Sequence, residues 1–361
     1  MNENTAKIQV IEACKELIEK KLVARTWGNV SCRIDNRHFA VTPSGLSYNR
    51  LTPENIVVVD INSLKYSGQI EPSSEKGIHA SAYRLDKNIN FVIHTHQTYA
   101  TCISVSGFSG LKPTVDEESE LGGIGYAKYG LPGSRRLKNN VSKILEQGYK
   151  SIILERHGAL LTGKNMEEAF KRAVLLENVC KRTVVDLSFS ETDFDTIGIR
   201  QSHDTFIYHD KDGVRTVRMS ANNIPKTMNI HRTILTELPD IKVVLSRSTE
   251  AALKAAETLD SLPAVIDDFA QMVGIDALTV SPDDINALKK AIKDRNGVFI
   301  KSIGAVGYAE EESDAKALLT LMEKNALAYL NAKTRGTISP LSLLDRKLMR
   351  NNYIKKYSKK K

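Results

Sequence analysis

Phe91-Val92-Ile93-His94-Thr95-His96-Gln97 is the stretch that decides how this chain is read. An apolar run delivers two histidines separated by one residue. Side chains at i and i+2 of a strand share a face, so His94 and His96 project together. Two imidazoles offered side by side at a strand end suit a shared metal ion. Two ordinary polar residues at a strand-to-helix junction would look the same, so the rest of the chain must decide.

A third ligand is sought among His38, His79, His157, His203, His209 and His231. His157 follows the apolar run Ser151–Leu154 directly and precedes Gly158, where strands of one sheet end together. His79 lies inside a predicted helix and has an echo at His231, which fits packing better than ligation. His157 is therefore the choice. Three histidines with an open fourth position make a catalytic rather than a structural zinc site. Glu75 begins the helix predicted for Lys76–Leu85, with Ser73 or Ser74 as its N-cap. A carboxylate beside a divalent ion stays ionised and can move a proton next to a metal-bound oxygen. Three small-polar turns precede the histidines: Gly28-Asn29, Ser44-Gly45 and Ser73-Ser74. Their hydroxyls, amide and backbone N–H groups can hold a phosphate without a lysine loop.

Around these motifs helices and strands alternate, which gives an α/β fold. Helical spacing runs over Thr5–Leu22, Thr98–Val105, Arg135–Gln147 and Met166–Val185. Strands are expected at Val30–Ile34, Phe39–Thr42, Asn55–Ile61 and Ser151–Leu154. Residues 186–222 show little pattern, and then the chain repeats itself. Gly77-Ile78-His79 is echoed by Asn229-Ile230-His231, and His94 lies fifteen residues after His79 just as Ser246 does after His231. His157-Gly158-Ala159 returns as Ile303-Gly304-Ala305. The second half reads as a copy of residues 69–185 in which the three histidines have become Ser246, Ser248 and Ile303, and Glu75 has become Thr227. The expected domains are 1–188 and 189–338, followed by a basic tail over 339–361.

Composition sets the outer bounds. The chain has 361 residues, 41% hydrophobic and 26% charged, with net charge +8. Eight of its 51 basic residues lie between Arg346 and Lys361, leaving 43 against 43 acidic residues. The body is neutral, so the charge does not argue for nucleic acid, and the tail reads as a solvated, frayed end. No leader-like or membrane-length apolar segment is seen, and Cys14, Cys32, Cys102 and Cys180 are scattered, so a cytoplasmic protein with reduced thiols is expected.

The motifs in order are Gly28-Asn29-Val30-Ser31, Thr42-Pro43-Ser44-Gly45, Pro72-Ser73-Ser74-Glu75 followed by His79, His94-Thr95-His96, and Arg156-His157-Gly158. As a set they resemble the class II aldolase/adducin family over residues 5–185. The resemblance implies an α/β/α three-layer domain around a largely antiparallel sheet, here followed by a degenerate second domain. It implies Zn2+, or another divalent ion, on His94, His96 and His157, with Glu75 as acid–base. It also implies a sugar phosphate held by Gly28, Asn29, Ser44, Gly45, Ser73 and Ser74. Glu75 and the segment Tyr126-Ala127-Lys128-Tyr129 are aldolase-like, with Tyr126 as proton donor. The implied reaction is cleavage of a ketose 1-phosphate to dihydroxyacetone phosphate and an aldehyde. The family also holds 4-epimerases, dehydratases and the non-catalytic adducins. Its tyrosine crosses from a neighbouring subunit, a place that Asp276, 150 residues after Tyr126, would take if the domains alternate round a ring. A dimer of two-domain chains is the assembly the resemblance implies.

Overall fold

The structure is a computed structural model and describes residues 1–20, 22–23, 27–107, 110–184, 187, 194–336 and 338–356. The expected boundary at 188/189 and the lysines at 359–361 lie outside these. The chain divides at residue 184 into two compact units.

The first unit contains α1 (Glu3–Glu19), β1 (Gly28–Arg33), β2 (His38–Val41), β3 (Val57–Asp60), α2 (Lys76–Leu85), β4 (Phe91–Thr95) and α3 (Thr98–Ser106). It continues with α4 (Val115–Leu121), β5 (Ile124–Ala127), α5 (Arg135–Glu146), β6 (Ser151–Leu154), β7 (Gly158–Gly163) and α6 (Met166–Lys181). Seven strands lie in the order β3-β2-β1-β4-β7-β6-β5. Every pair is antiparallel except β5 with β6. Helices α2 and α5 cover one face, where Ile78, Tyr83, Val92, Leu137, Val141, Ile152 and Leu160 form a single core. Burying each such side chain contributes roughly 1.5–3 kcal/mol. Helices α1, α3 and α6 pack on the other face. The result is a three-layer α/β/α fold.

The second unit contains β8 (Thr196–Arg200), β9 (Thr205–Asp210), β10 (Gly213–Arg218), α7 (Lys226–Glu237), β11 (Val243–Arg247), α8 (Glu250–Thr258) and β12 (Ser261–Pro263). After these come α9 (Asp267–Met272), β13 (Asp276–Val280), α10 (Ile285–Ala291), β14 (Gly297–Ile300), β15 (Gly304–Ala309), α11 (Glu312–Thr334) and α12 (Leu343–Lys356). Its sheet runs β10-β9-β8-β11-β15-β14-β13-β12. Apart from the added edge strand β12, this is the order of the first unit. The registers agree as well. Asn29 pairs with His94 and Thr196 with Ser246; His94 pairs with Leu160 and Ser246 with Val306.

Several expectations are corrected. Residues 186–222 are not patternless: they hold β8, β9 and β10, so the second unit has counterparts of β1–β3 and lacks only their motif residues. The hairpin β9–β10 turns at Lys211-Asp212 before Gly213, whose φ is +119°. Helix α4, for which no element was expected, carries a capping box between Thr114 and Glu117 and ends on left-handed Gly122. The run after His157 is a strand, β7. Gly28 and Asn29 open β1 rather than forming a separate turn. The basic tail is helical over α12, and Arg346 and Arg350 donate to the carbonyls of Ile275, Gln271 and Met272. Those bonds fasten the described part of the tail to the second unit, so Leu343–Lys356 is no frayed end. The four cysteines are buried and free.

His231 is wholly buried, and burial pushes its ring down to about 3. The unfolded chain therefore takes up a proton below pH 6.5 that the folded chain refuses, and stability is lost as pH falls. A His231→Gln variant lacks this penalty. In urea unfolding it should gain about 2 kcal/mol relative to wild type between pH 7 and pH 5. A difference that does not change with pH would contradict this.

Candidate metal and sugar-phosphate site

The strand period sets the geometry of the first unit. Val92 and His94 of β4 face α2, as do Asn29 and Ser31, their partners on β1. His96 follows the end of β4, and His157 lies in the turn between β6 and β7. That turn is tight. Arg156 adopts φ +62°, and a Cβ on Gly158 would sit 2.1 Å from the Thr95 carbonyl oxygen. Only glycine lets β7 approach β4 so closely, and that approach brings His157 to His94.

The three rings meet at their Nε2 atoms. His94 Nε2 lies 2.8 Å from both His157 Nε2 and His96 Nε2. All three pairs of ring centroids are 4.7 Å apart, an arrangement of three rings about one point. His94 Nδ1 donates to the Ala159 carbonyl at 2.9 Å, so its Nε2 presents a lone pair. Glu75 closes the cluster, with Oε2 3.2 Å from His94 Nε2 and Oε1 3.3 Å from His157 Nε2. All four residues are buried. Burial pushes the Glu75 carboxyl up, but the His94 and His157 rings, when protonated, outweigh this and hold it well below the usual carboxylate range. Nitrogen lone pairs crowded round one point with a carboxylate beside them fit a divalent cation, and the four could hold one.

Glu75 stands at the N-cap of α2 without capping it. Neither serine takes that place, which corrects the expectation. Ser73 Oγ instead accepts from the Glu75 N–H at 3.2 Å. The cap is given up because the carboxylate is committed to the cluster and to Asn29, whose amide donates to Oε2 at 3.0 Å.

The small-polar segments come together beside Glu75. Ser44 N–H donates to Glu71 O at 2.8 Å, and Ser73 N–H to Thr42 O at 2.9 Å. Pro43 and Pro72 form an isolated bridge between the two turns. Gly28, at φ +122°, packs so closely that a Cβ would lie 2.5 Å from the His94 carbonyl oxygen, and its own carbonyl accepts from Tyr48 OH at 2.8 Å. Gly45 and Ser74 are exposed, whereas Asn29 and Ser73 are buried.

Tyr126 is not brought into the cluster. It lies on edge strand β5, and its hydroxyl donates to the Ser104 carbonyl at 2.8 Å. Asp276 is held within the second unit by Arg295 at 2.7 Å. Reading by motif gave no site role to His79, which contacts the Asn29 amide, or to Ser31 and Tyr83, which line up behind His79. Their signal was present: His79 and Tyr83 stand four and eight residues after Glu75, and Ser31 two after Asn29.

The profile of the Class II Aldolase and Adducin N-terminal domain matches residues 8–184. An L-fuculose phosphate aldolase of Methanococcus maripaludis is 36% identical over 173 residues, 48% of this chain and 93% of that protein. A probable L-ribulose-5-phosphate 4-epimerase of Mycoplasma pneumoniae is 32% identical, covering 49% of this chain and 80% of its own. A 5-methylthioribulose-1-phosphate/5-deoxyribulose-1-phosphate aldolase of Escherichia coli is also 32% identical, covering 44% and 74%. A solved L-fuculose 1-phosphate aldolase is 30% identical, with TM-score 0.46 over 49% of this chain and 84% of that one. The chain belongs to the class II aldolase/adducin family. Among the described residues no helix is long and apolar enough to cross a membrane.

A Gly158→Ala variant should destabilise the first unit by about 3 kcal/mol, read as a lowered melting transition. A melting curve unchanged from wild type would contradict the role given to that turn.

Proposed function

We propose that the chain is a divalent-metal-dependent sugar-phosphate aldolase that cleaves a ketose 1-phosphate to dihydroxyacetone phosphate and an aldehyde. The observation that carries this reading is the convergence of three histidine Nε2 atoms on the carboxylate of Glu75, in a chain whose relatives include named sugar-phosphate aldolases. His94, His96 and His157 would hold zinc or another divalent ion. When bound, such an ion supplies Lewis-acid polarisation of the substrate ketone.

The protein's own residues do the rest. Glu75 moves the proton at the carbon released when the C3–C4 bond breaks, using a carboxylate kept ionised in a buried pocket. Asn29, Ser44, Gly45, Ser73 and Ser74, with Gly28 shaping the first segment, hold and orient the phosphate through backbone N–H groups, hydroxyls and the second N–H of the Asn29 amide, whose first goes to Glu75. Tyr126 serves as proton donor across a subunit contact, in a dimer of two-domain chains. The second unit keeps the fold without the ligands, and its descent from a duplicated domain accounts for the shared strand order and register.

A 4-epimerase or a dehydratase would use the same metal and phosphate groups. The 4-epimerase-like relative makes the first of these the second reading. Product analysis separates them: an aldolase releases dihydroxyacetone phosphate, an epimerase rejoins its fragments, and a dehydratase releases water.

In a coupled assay over a panel of ketose 1-phosphates, wild type should release dihydroxyacetone phosphate from at least one of them. Glu75→Gln should lower kcat by about 10²–10⁴-fold. Full cleavage by that variant would remove Glu75 from the mechanism; absence of cleavage by wild type would overturn the aldolase reading.

A further inference from the structure

Glu75 is the last member of a buried line of hydrogen bonds between α2 and β1. Glu75, His79 and Tyr83 are spaced four residues apart along one side of α2, and Asn29 and Ser31 two apart on the facing side of β1. The five side chains interleave. The Asn29 amide nitrogen donates to Glu75 Oε2 at 3.0 Å, and its amide oxygen contacts His79 Nε2. Ser31 Oγ lies 2.6 Å from His79 Nδ1 and 2.7 Å from Tyr83 OH.

Chemistry permits one direction along this line. A carboxylate only accepts, so Asn29 turns its NH2 group to Glu75 and its oxygen to His79. That oxygen only accepts, so His79 Nε2 carries the proton. Burial first, and His94 second, push the His79 ring down to about 3, so the ring is neutral and Nδ1 accepts. Ser31 then donates to Nδ1 and accepts from Tyr83.

We propose that His79, set by Ser31 and Tyr83, is a positioning residue: it locks the Asn29 amide in the orientation that gives Glu75 a donor and so fixes the carboxylate opposite the His94 and His157 nitrogens. Without the Nε2–H donor the Asn29 amide is free to turn its oxygen toward the carboxylate, where two acceptors repel.

The second unit supplies an internal comparison. The positions matching Glu75, His79 and Tyr83 are Thr227, His231 and Leu235, and those matching Asn29 and Ser31 are Thr196 and Gly198. The histidine survives with Thr196 at 3.1 Å from its Nε2. Its Nδ1 has no partner among the described residues. A Cβ on Gly198 would come within 2.7 Å of that nitrogen, so the ring packs into the space where the first unit carries Ser31. The line is dismantled where there is no carboxylate to aim.

The proposal rests on Glu75 being the proton-moving group of the aldolase reading. Two variants of the full chain test it. His79→Leu fills the space without a donor, and His79→Gln restores an N–H toward Asn29. Leucine should lower kcat by about 10²-fold, a larger change than in KM, and glutamine should recover most of the loss. Nitrogen NMR of the metal-free wild type should show His79 protonated at Nε2. Equal kcat in the Leu and Gln variants, a change in KM alone, or a proton on Nδ1 would overturn the proposal. If wild type turns over no ketose phosphate, the aldolase reading fails. The His79 tautomer, with the Asn29 amide-proton shift between wild type and His79→Leu, then decides the positioning role alone. A proton on Nε2 and a moved Asn29 signal support the role; any other result overturns it.

Discussion

The bond from the Asn29 amide to Glu75 is the contact on which the site's geometry depends. A glutamate at the first turn of a helix ordinarily reaches solvent or the helix's own N–H groups. Here the side chain is turned inward, 7% exposed, and faces two imidazole nitrogens. Burying a carboxylate is costly unless it is paired and hydrogen-bonded. Asn29 supplies the hydrogen bond, and β1 brings it there because Asn29 and His94 are cross-strand partners. The polar line behind Asn29 satisfies each of its members in turn. A buried network of this kind is stable when complete and costly when broken.

The two units separate what the fold needs from what the chemistry needs. Gly158 and Gly304 both allow a strand to pass against a neighbouring carbonyl oxygen, at 2.1 and 2.5 Å from an added Cβ. Arg156 and Ser302 both take φ +62° in the preceding turn. These positions serve backbone packing, and both units keep their conformations. The three clustered histidines, Glu75, Asn29, Ser31 and Tyr83 belong to the cluster and the line behind it, and the second unit replaces all of them. Its sheet is finished differently, with β12 along the edge and an ion pair between Asp276 and Arg295.

Much of this was legible in the sequence because it follows from periodicity. His94 and His96 were readable as a pair from the strand period of two, and the helix of Lys76–Leu85 from its apolar spacing. The N-cap was misread because serine usually caps; nothing local reveals that Glu75 holds the cap position while its carboxylate is spent elsewhere. Strands β8–β10 carried a readable signal, alternating residues around Asp212-Gly213, as did the Thr114–Glu117 capping box. His79 was read as a packing residue because its echo survives in the second unit, yet its partners are what differ between the two. Those partners sit on another element, and contacts between elements follow from register, which a single sequence does not display. The position of Tyr126 belongs to the same class, since its role depends on which chain's β5 lies near the cluster.

The first unit carries a His/Glu cluster that could hold a metal ion, and the second keeps the same strand order without those residues. Native mass spectrometry of the purified full chain, loaded with zinc and passed through a desalting column, tests it most directly. One ion per chain is expected, lost in a His157→Ala variant. Two ions per chain, none, or a single ion unaffected by that substitution would contradict it.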